Sequence, residues 1–277
     1  MTERLAESVA LITGAARGQG RTHALRMARE GADLILCDLA EDGLEDVREE
    51  IERLGQRAVT GQVDIRSVEA MDELVARGVA ELGKLDIVVA NAAIFETEGF
   101  SWELKEDAWK EMIDVNLTGT WNTTRAAIPG MIERREGGAI ILIGAGGSAI
   151  GFRSLSHYNA SKHGVVGLMR TLANELAPHR IRVNCVSPSI VDTPMTMNER
   201  IYSQYAGGMS GATLEDVKAA FYAQNVLPVP WIEPDDVSNA VLFLASGEGA
   251  YITGVDLPVD CGSRIQPPGL PPSILAD

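Results

Sequence analysis

The sequence predicts an α/β fold in which one doubly wound domain spans residues 1–277 around a mostly parallel sheet of seven strands. Three observations support this prediction. Short apolar runs alternate with amphipathic helical segments along most of the chain, which is typical of βαβ units. A glycine-rich turn lies between the first strand and the first helix. The 277 residues are 45% hydrophobic, which is enough for one large core.

The predicted strands are short and rich in β-branched residues, which suits strands buried on both faces of a parallel sheet. In chain order they are Val9–Thr13, Asp33–Asp38, Ala58–Val63, Asp86–Ala90, Ala139–Ile143, Ile181–Ser187 and Val255–Val259. Helical spacing of apolar residues predicts the helices between them. These are Arg21–Glu30, Ala40–Leu54, Val68–Leu82, Asp107–Arg135, His157–Ala177 and Pro234–Ala245. Gly83 ends the third helix and Pro178 the fifth, whereas Pro234 lies in a first helical turn, where proline is tolerated.

Two segments depart from this alternation. Residues 195–231 contain no clean strand, and we expect an insertion that shapes the substrate pocket. Apolar walls of that pocket could come from Phe152, Leu155, Met195, Met197 and Trp231, although ordinary packing would explain the same residues. Residues 263–277 carry four prolines, and we expect a C-terminal tail. No linker or internal repeat divides the chain, so we expect a single domain.

Charge and composition exclude several classes of protein. The formal net charge is −15 and the pI is about 4.7, whereas a nucleic-acid-binding protein needs a basic surface. No apolar run reaches the roughly 18 residues of a membrane span. The cysteines Cys37, Cys185 and Cys261 are odd in number and far apart, which favours a reduced, cytoplasmic chain. No cluster of Cys, His and Asp has metal-ligand spacing, so no metal is expected.

The turn after the first strand has the spacing GxxxGxG, formed by Gly14, Gly18 and Gly20. Glycines permit a tight turn and a close approach of the backbone to a ligand. The helix that follows offers free N–H groups at its N-terminus to a pyrophosphate. A strand, a glycine turn and a helix in this order predict a dinucleotide site of the Rossmann type.

Asp38 closes the second strand, where a carboxylate can accept hydrogen bonds from an adenosine ribose and would repel a 2′-phosphate. The predicted cofactor is therefore NAD rather than NADP. Arg17 argues the other way, because a cation near the ribose could bind a 2′-phosphate. We give the direct repulsion from Asp38 more weight, although a solvated strand end and a surface cation would also explain the two residues.

Tyr158 and Lys162 are four residues apart near the start of a helix, so their side chains share one face. A phenol titrates near pH 10, too high for a base at neutral pH, and a nearby ammonium lowers that pKa. Tyr158 could then exchange a proton with an alcohol or a carbonyl compound. A surface Tyr–Lys pair is common, so this interpretation depends on the other motifs.

Five motifs occur in one order along the chain: residues 13–20, Asn91-Ala92-Ala93, Asn116, the Tyr158/Lys162 pair, and residues 188–193. Together they resemble the short-chain dehydrogenase/reductase family, over roughly residues 8–262. Residues 157–194 and 251–262 are most similar to its carveol-dehydrogenase-like members. The resemblance implies a homodimer or homotetramer, with an interface on the helix Asp107–Arg135 and the helix that contains residues 165–176.

The resemblance also implies a cofactor site. Along the chain, its residues would contact first the pyrophosphate, then the adenosine ribose and the adenine ring, and last the nicotinamide end. Those between the adenine and nicotinamide groups would shape the cleft. They are Gly14, Arg17, Gly18, Gln19, Gly20, Asp38, Leu39, Asp64, Ile65, Asn91, Ala92, Pro188, Ile190 and Thr193, together with the catalytic pair.

The catalytic roles follow from the same resemblance. Tyr158 would be the acid/base, and Lys162 would bind the nicotinamide ribose and lower the pKa of Tyr158. Asn116 would position a water in a proton relay beyond Lys162.

One position departs from the family pattern. The family usually has a serine thirteen residues before the tyrosine, where it hydrogen-bonds the substrate oxygen, and this chain has Ala145. Losing one preorganised donor can cost roughly 10²–10³ in rate. Two interpretations stay open: Ser148 moves in on the flexible Gly146-Gly147 pair, or the enzyme works without this hydroxyl. Ser148 could also be a simple loop or cap serine.

The predicted function is NAD-dependent interconversion of a secondary alcohol and a ketone by hydride transfer. The expected substrate is a small apolar alicyclic molecule, terpenoid or steroid-like, and neither nucleic acid nor a membrane is an expected partner. The alternative is a catalytically weak family member that binds NAD as a sensor or scaffold, which Ala145 would favour. A plain interaction protein on the same fold would not bind NAD.

Overall fold

The computed structural model describes residues 3–96 and 99–265 of the chain. Its strands are β1 Val9–Thr13, β2 Asp33–Asp38, β3 Ala58–Gln62, β4 Ile87–Ala90, β5 Gly138–Ile143, β6 Ile181–Pro188 and β7 Asp256–Val259. They form one sheet in the order β3-β2-β1-β4-β5-β6-β7, and every neighbouring pair is parallel. The predicted doubly wound α/β fold is therefore confirmed.

The helices follow the strands along the chain. They are α1 Gly18–Ala28, α2 Glu41–Arg53, α3 Val68–Leu82, α4 Glu106–Ile113, α5 Thr120–Arg134, α6 Ser156–Leu176, α7 Glu199–Tyr205, α8 Leu214–Tyr222 and α9 Pro234–Ala245. Within the described part of the chain, no helix is long and apolar enough to cross a membrane.

Helices cover both faces of the sheet. Ile12 and Leu36 point into a cluster that includes side chains of α1, α2 and α9. Their neighbours Leu11 and Ile35 point to the opposite face, into a cluster with side chains of α3, α5 and α6. Because both faces are buried, strands such as β1 and β4 carry apolar residues at consecutive positions instead of alternating between apolar and polar residues.

The strand order reverses at β1. The chain passes from β1 through β2 to β3 on one side and then crosses to β4, which pairs with β1 on the other side. Ile12 of β1 lies beside Val89 of β4, so the loops that follow these strands leave the sheet next to each other. In doubly wound sheets, ligands bind in the crevice at this switch point.

The single helix predicted over Asp107–Arg135 is wrong in one respect. A π-helical turn, Asp114–Gly119, separates α4 from α5 and contains Asn116. Ile65 presses against the turn, because a Cβ added to Gly119 would lie 2.5 Å from Ile65 Cδ1. One turn of π-helix leaves the apolar spacing largely helical, so the sequence pattern does not reveal it.

The segment predicted as an insertion, residues 195–231, holds the short helices α7 and α8. Its two ends are joined at the base, where Ile232 N–H donates to Ile190 O at 3.0 Å and Asp192 N–H donates to Ile232 O at 2.9 Å. Of the predicted tail, Ser263–Ile265 form a 3₁₀ turn. The rest of that prediction, residues 266–277, lies outside the described residues.

Candidate active site

A cavity of about 750 Å³ opens at the carboxyl ends of the strands, where the switch point places it. Every residue predicted to contact a cofactor lies on its wall, although these residues come from six separate parts of the chain. They are Gly14, Arg17, Gly18, Gln19, Gly20, Asp38, Leu39, Asp64, Ile65, Asn91, Ala92, Tyr158, Lys162, Pro188, Ile190 and Thr193. The two other predicted site residues, Asn116 and Ser148, are not on the wall.

The glycine turn brings backbone close to backbone beside the cavity. Gly14 and Gly18 have positive φ angles of 67° and 54°, which side chains disfavour. A Cβ on Gly20 would lie 1.9 Å from Gly14 O, and one on Gly14 would lie 2.9 Å from Ala92 Cα. Any larger residue at Gly20 would therefore push the turn apart and move the first N–H groups of α1.

A hydrogen-bonded link joins this turn to the end of β4. Asn91 Nδ2 donates to Thr13 O at 2.9 Å and to Gly14 O at 3.3 Å. Thr13 Oγ1 accepts from the N–H groups of Asn91 and Ala92, at 3.1 and 3.0 Å. The link fixes the two loops that form the floor of the cavity. Sequence reasoning assigned no role to Thr13, and its place next to the glycine turn was the available signal.

The Asp38 carboxylate is held by backbone donors. Oδ2 accepts from Ala16 N–H at 3.0 Å, and Oδ1 accepts from Leu39 N–H at 2.7 Å and from Ala40 N–H at 3.2 Å. These bonds fix a negative charge on the cavity wall without neutralising it by a cation. Arg17, which could have opposed it, is an exposed residue at the start of α1.

Further along the wall, Asp64 forms an ion pair with Arg66 at 2.6 Å. The Arg66 guanidinium holds the pKa of that carboxyl below its usual range. Ile65 beside it is buried against the π-helical turn.

Two features of the glycine region fit a dinucleotide. The turn is a cradle that a Cβ at Gly14 or Gly20 would fill. Gln19 Oε1 is buried beside the turn and has no hydrogen-bond partner among the residues that the structure describes. A buried acceptor without a donor is costly, and a bound hydroxyl or amide would satisfy it.

Tyr158 and Lys162 lie near the start of α6 and share one wall of the cavity. Lys162 Nζ lies 5.9 Å from the centroid of the Tyr158 ring and donates to Ile143 O at 2.9 Å. Only 3% of Lys162 is exposed, and burial lowers the pKa of its ammonium to about 8. Phe95 packs edge-on against the Tyr158 ring, with 4.7 Å between centroids.

Burial of the Tyr158 hydroxyl opposes the effect on its pKa that we expect of Lys162. Burial raises the pKa of the Tyr158 hydroxyl above its ordinary value. The ammonium of Lys162 donates to the Ile143 carbonyl in the chain alone, so its stabilisation of a Tyr158 phenolate stays a prediction.

Asn116 lies behind the wall and is fully buried. Its Oδ1 accepts from Ile94 N–H at 2.8 Å, and its Nδ2 donates to Ile94 O at 2.9 Å. Its own carbonyl accepts from Thr120 Oγ1 at 2.8 Å. Asn116 therefore holds the segment after β4, whose residue Ile94 lines the cavity.

Ala145 lines the cavity, whereas Ser148 does not. The Ser148 hydroxyl accepts from Ala145 N–H at 2.9 Å within the 3₁₀ turn Gly146–Ser148. In this conformation Ser148 caps its own turn and presents no hydroxyl to the cavity.

Arg264, which sequence reasoning placed in the tail, contacts the same loop. Its Nη2 donates to Ala145 O at 3.0 Å, and its Nη1 pairs with Asp256 at 2.7 Å. The neighbouring Ser263 lines the cavity. The two residues are more than 100 positions from the loop, and a lone arginine among prolines gives no sequence signal of this contact.

The remaining wall of the cavity is mostly apolar. Of the predicted apolar residues, Phe152, Leu155 and Met195 line it, whereas Met197 and Trp231 pack in the cluster beneath α7 and α8. Sequence reasoning missed Phe95, Ile201, Tyr205, Phe221 and Gln224, which also line it. No group of three potential ligands that could hold a metal ion occurs in residues 3–96 and 99–265.

Known proteins are similar to nearly the whole length of this chain. The family model for short chain dehydrogenases matches residues 8–203. A (-)-trans-carveol dehydrogenase of Rhodococcus erythropolis is 45% identical over 275 residues, which cover 95% of this chain and 99% of that protein. A crystal structure of carveol dehydrogenase from Mycobacterium avium in complex with NAD has a TM-score of 0.92 and 42% identity, covering 95% and 99% of the two chains. A short chain dehydrogenase from Mycobacterium paratuberculosis bound to NAD has a TM-score of 0.87 and 38% identity, covering 95% and 100%.

The family model matches most of the chain, and the 45% identity extends over 95% of it. They agree with the glycine turn at the switch point and with the tyrosine and lysine on the wall of the same cavity. The chain belongs to the short-chain dehydrogenase family and is an oxidoreductase.

Proposed function

We propose that this protein is an NAD-dependent dehydrogenase that interconverts a secondary alcohol and a ketone on an apolar alicyclic, terpenoid-like skeleton. The observation that carries the proposal is one cavity that joins the glycine turn to Tyr158 and Lys162. The similar proteins named as carveol dehydrogenases support the class of substrate. The mostly apolar wall formed by residues such as Phe95, Phe152 and Phe221 suits the same class.

NAD is the cofactor, and it supplies hydride acceptance or donation at its nicotinamide ring. The N–H groups at the start of α1 bind its pyrophosphate, and Asp38 binds its adenosine ribose. The negative charge of Asp38 disfavours a 2′-phosphate, and two similar structures are NAD complexes. Asp64 and Ile65 flank the adenine, whereas Pro188, Ile190 and Thr193 lie at the nicotinamide end.

Tyr158 exchanges a proton with the substrate oxygen through its hydroxyl. The ammonium of Lys162 holds the cofactor and stabilises the phenolate that forms when that proton leaves. Asn116 acts behind the wall, by holding the segment that carries Ile94 and by ordering the path of the proton beyond Lys162. Ala145 offers no hydroxyl, so we assign Ser148 the role of fixing the shape of the Ala145 loop.

The rival reading, a scaffold that binds NAD without turnover, is disfavoured. Its support is Ala145, whereas the tyrosine, the lysine and the 45% identity to a dehydrogenase all favour catalysis. Loss of one donor lowers a rate by roughly 10²–10³ and does not abolish it.

We also propose that the protein forms a homodimer or homotetramer and acts in the cytoplasm. Trp109 on α4 and Trp121 on α5 are exposed by 42% and 46%, on the helices where we place an interface. Exposed large aromatic residues are enriched at interfaces between protein chains. All three cysteines are free, as expected in a reducing compartment.

The test is NAD reduction with a panel of alicyclic secondary alcohols, compared with NADP and with acyclic alcohols. The proposal predicts NAD-dependent turnover of the alicyclic compounds and little activity with NADP. Tight NAD binding without turnover of any alcohol would contradict it and would favour the scaffold.

A further inference from the structure

The substrate side of the cavity contains one hydrogen-bonded pair that the proposed reaction does not use. Tyr205, at the end of α7, donates from its hydroxyl to Gln224 Oε1, just after α8, and both side chains line the cavity. They lie among apolar residues, since the Tyr205 ring meets the Phe221 ring edge-on at 4.9 Å and Ile201 lies one turn earlier on α7.

The pair is under-bonded. Its O···O distance is 3.3 Å, longer than the 2.5–3.0 Å usual for a hydroxyl donor. Gln224 Nε2 donates to Ala220 O at 3.4 Å, which is also long, and Nε2 carries a second hydrogen. Within the described part of the chain, nothing donates to the Tyr205 oxygen. The pair therefore keeps a donor and an acceptor for a ligand.

Two other polar side chains that the insertion brings to this wall, Asn198 and Arg200, are engaged by the protein. Asn198 accepts from Ile201 N–H and donates to Pro194 O and Met195 O, which caps α7. Arg200 pairs with Glu96 at 2.9 Å and donates to a backbone carbonyl. Among these groups, Tyr205 and Gln224 are the ones with long hydrogen bonds and capacity left over.

The pair and the reacting centre belong to one cavity. Phe95 packs against Tyr158 and also against the apolar cluster that includes Tyr205 and Phe221. A ligand with its reacting carbon at Tyr158 therefore lies along an apolar surface that leads to a polar contact.

Resting on the proposed function, we propose that Tyr205 and Gln224 form a specificity subsite for a second oxygen on the substrate. The substrate class is then an alicyclic alcohol or ketone that carries a further hydroxyl or carbonyl, separated from the reacting carbon by an apolar skeleton. A substrate without that oxygen leaves the pair under-bonded and gains less on binding.

The test compares two alcohols of similar size, cyclohexane-1,4-diol and 4-methylcyclohexanol, which differ in one hydroxyl and one methyl group. We expect Tyr205→Phe to lower the ratio of kcat/KM for the diol to that for the methyl compound by about tenfold, because one neutral hydrogen bond is lost. The change should lie mainly in KM, since the hydroxyl is remote from the reacting carbon. Gln224→Leu should lower the ratio in the same direction.

Tyr202→Phe is the matched control, because Tyr202 lies on the same helix and packs in the same cluster but is not on the cavity wall. It should leave the ratio unchanged. Equal loss with both alcohols in the Tyr205 variant, or an equal ratio in Tyr205→Phe and Tyr202→Phe, would overturn the subsite and leave the proposed function intact. Turnover of neither alcohol by the unmodified enzyme with NAD bound would overturn both.

Discussion

At the scale of single residues, Asp38 shows how a charge can be fixed without a counter-ion. Three backbone N–H groups orient its carboxylate at the end of β2, on the cavity wall. Such bonds stabilise the position of the charge but leave its field directed at whatever enters the cavity. We therefore expect Asp38 to act on a bound cofactor through both hydrogen bonding and repulsion.

We predict that Asp38→Asn weakens NAD binding by about tenfold, because a charge-assisted hydrogen bond to the ribose is replaced by a neutral one. The same change should bring the Kd values for NAD and NADP closer together, since repulsion of a 2′-phosphate is removed. Titration of the unmodified protein and of the variant with NAD and with NADP checks this. Asp42→Asn, an exposed carboxylate in the first turn of α2, is the control. Equal effects of the two substitutions would show that only the overall charge matters.

Residues of this kind were accessible from the sequence because their position follows from local rules. Asp38 ends a strand, Gly14 and Gly20 begin a helix, and Tyr158 and Lys162 share a helical face, so each could be placed without knowledge of distant contacts. Phe95 and Tyr205 could not be found in this way, because they reach the cavity through packing between segments far apart in the chain.

At the scale of elements, the end of β5 and the loop after it, Ile143–Ser148, are held by three hydrogen bonds, two of them from other parts of the chain. Lys162 of α6 donates to Ile143 O, the Ser148 hydroxyl accepts from Ala145 N–H, and Arg264 donates to Ala145 O. Ala145 lines the cavity, and its backbone N–H and carbonyl are therefore both held.

We predict that Arg264→Gln and Ser148→Ala each lower kcat/KM by about tenfold, because the loop loses one of its fixed points. The Kd of NAD should change little, since neither side chain lies on the cavity wall. Steady-state kinetics measure the change in kcat/KM, and cofactor titration measures the Kd of NAD. Arg180→Gln is the matched control, because Arg180 also donates to a backbone carbonyl, at Arg135, but at the opposite end of β6. An equal loss in the control would contradict a specific role of the loop.

The interrupted helix between α4 and α5 shows what element-level patterns miss. Apolar spacing over Asp107–Arg135 is helical throughout, yet the π-helical turn at Asp114–Gly119 aims the Asn116 amide at Ile94. Gly119 in this turn packs against Ile65, about 50 residues away in sequence. A periodicity carries no information about such a contact.

At the scale of the whole molecule, His23 links stability to pH. It is buried between α1 and α9, where its Nδ1 lies 2.7 Å from Ser238 Oγ. Burial lowers the pKa of this imidazole to about 3, from an ordinary value of 6.5. As the pH falls below 6.5, the unfolded chain takes up this proton and the folded chain does not, so stability is lost on acidification.

We therefore predict that the free energy of unfolding falls as the pH drops below 6.5, with a slope through His23 that approaches about 1.4 kcal/mol per pH unit between pH 5.5 and 4. His23→Gln should remove this component, so that the curve of the variant is flatter than that of the unmodified protein. Urea unfolding at several pH values checks it. His179→Gln, at an exposed position, should keep the full slope. A slope unaffected by His23→Gln would contradict the assignment.

The sheet as a whole followed from the sequence, because continuous apolar strands such as Ile87–Ala90 are explained by burial on both faces. The place of Arg264 did not, because it arises only when the end of the chain returns to β5. The net charge of −15 does not describe the cavity either. The N-terminus of α1 lies at the cavity, and its free backbone N–H groups carry a partial positive charge there.

The measurement that tests the account most directly is turnover and NAD affinity of Tyr158→Phe, using an alicyclic alcohol that the unmodified enzyme oxidises. The variant keeps the aromatic ring against Phe95 and loses only the hydroxyl. The account predicts a fall in kcat of about 10²–10⁴ with the Kd of NAD almost unchanged. A variant that turns over the alcohol within about threefold of the unmodified rate would remove Tyr158 from the chemistry and contradict the account.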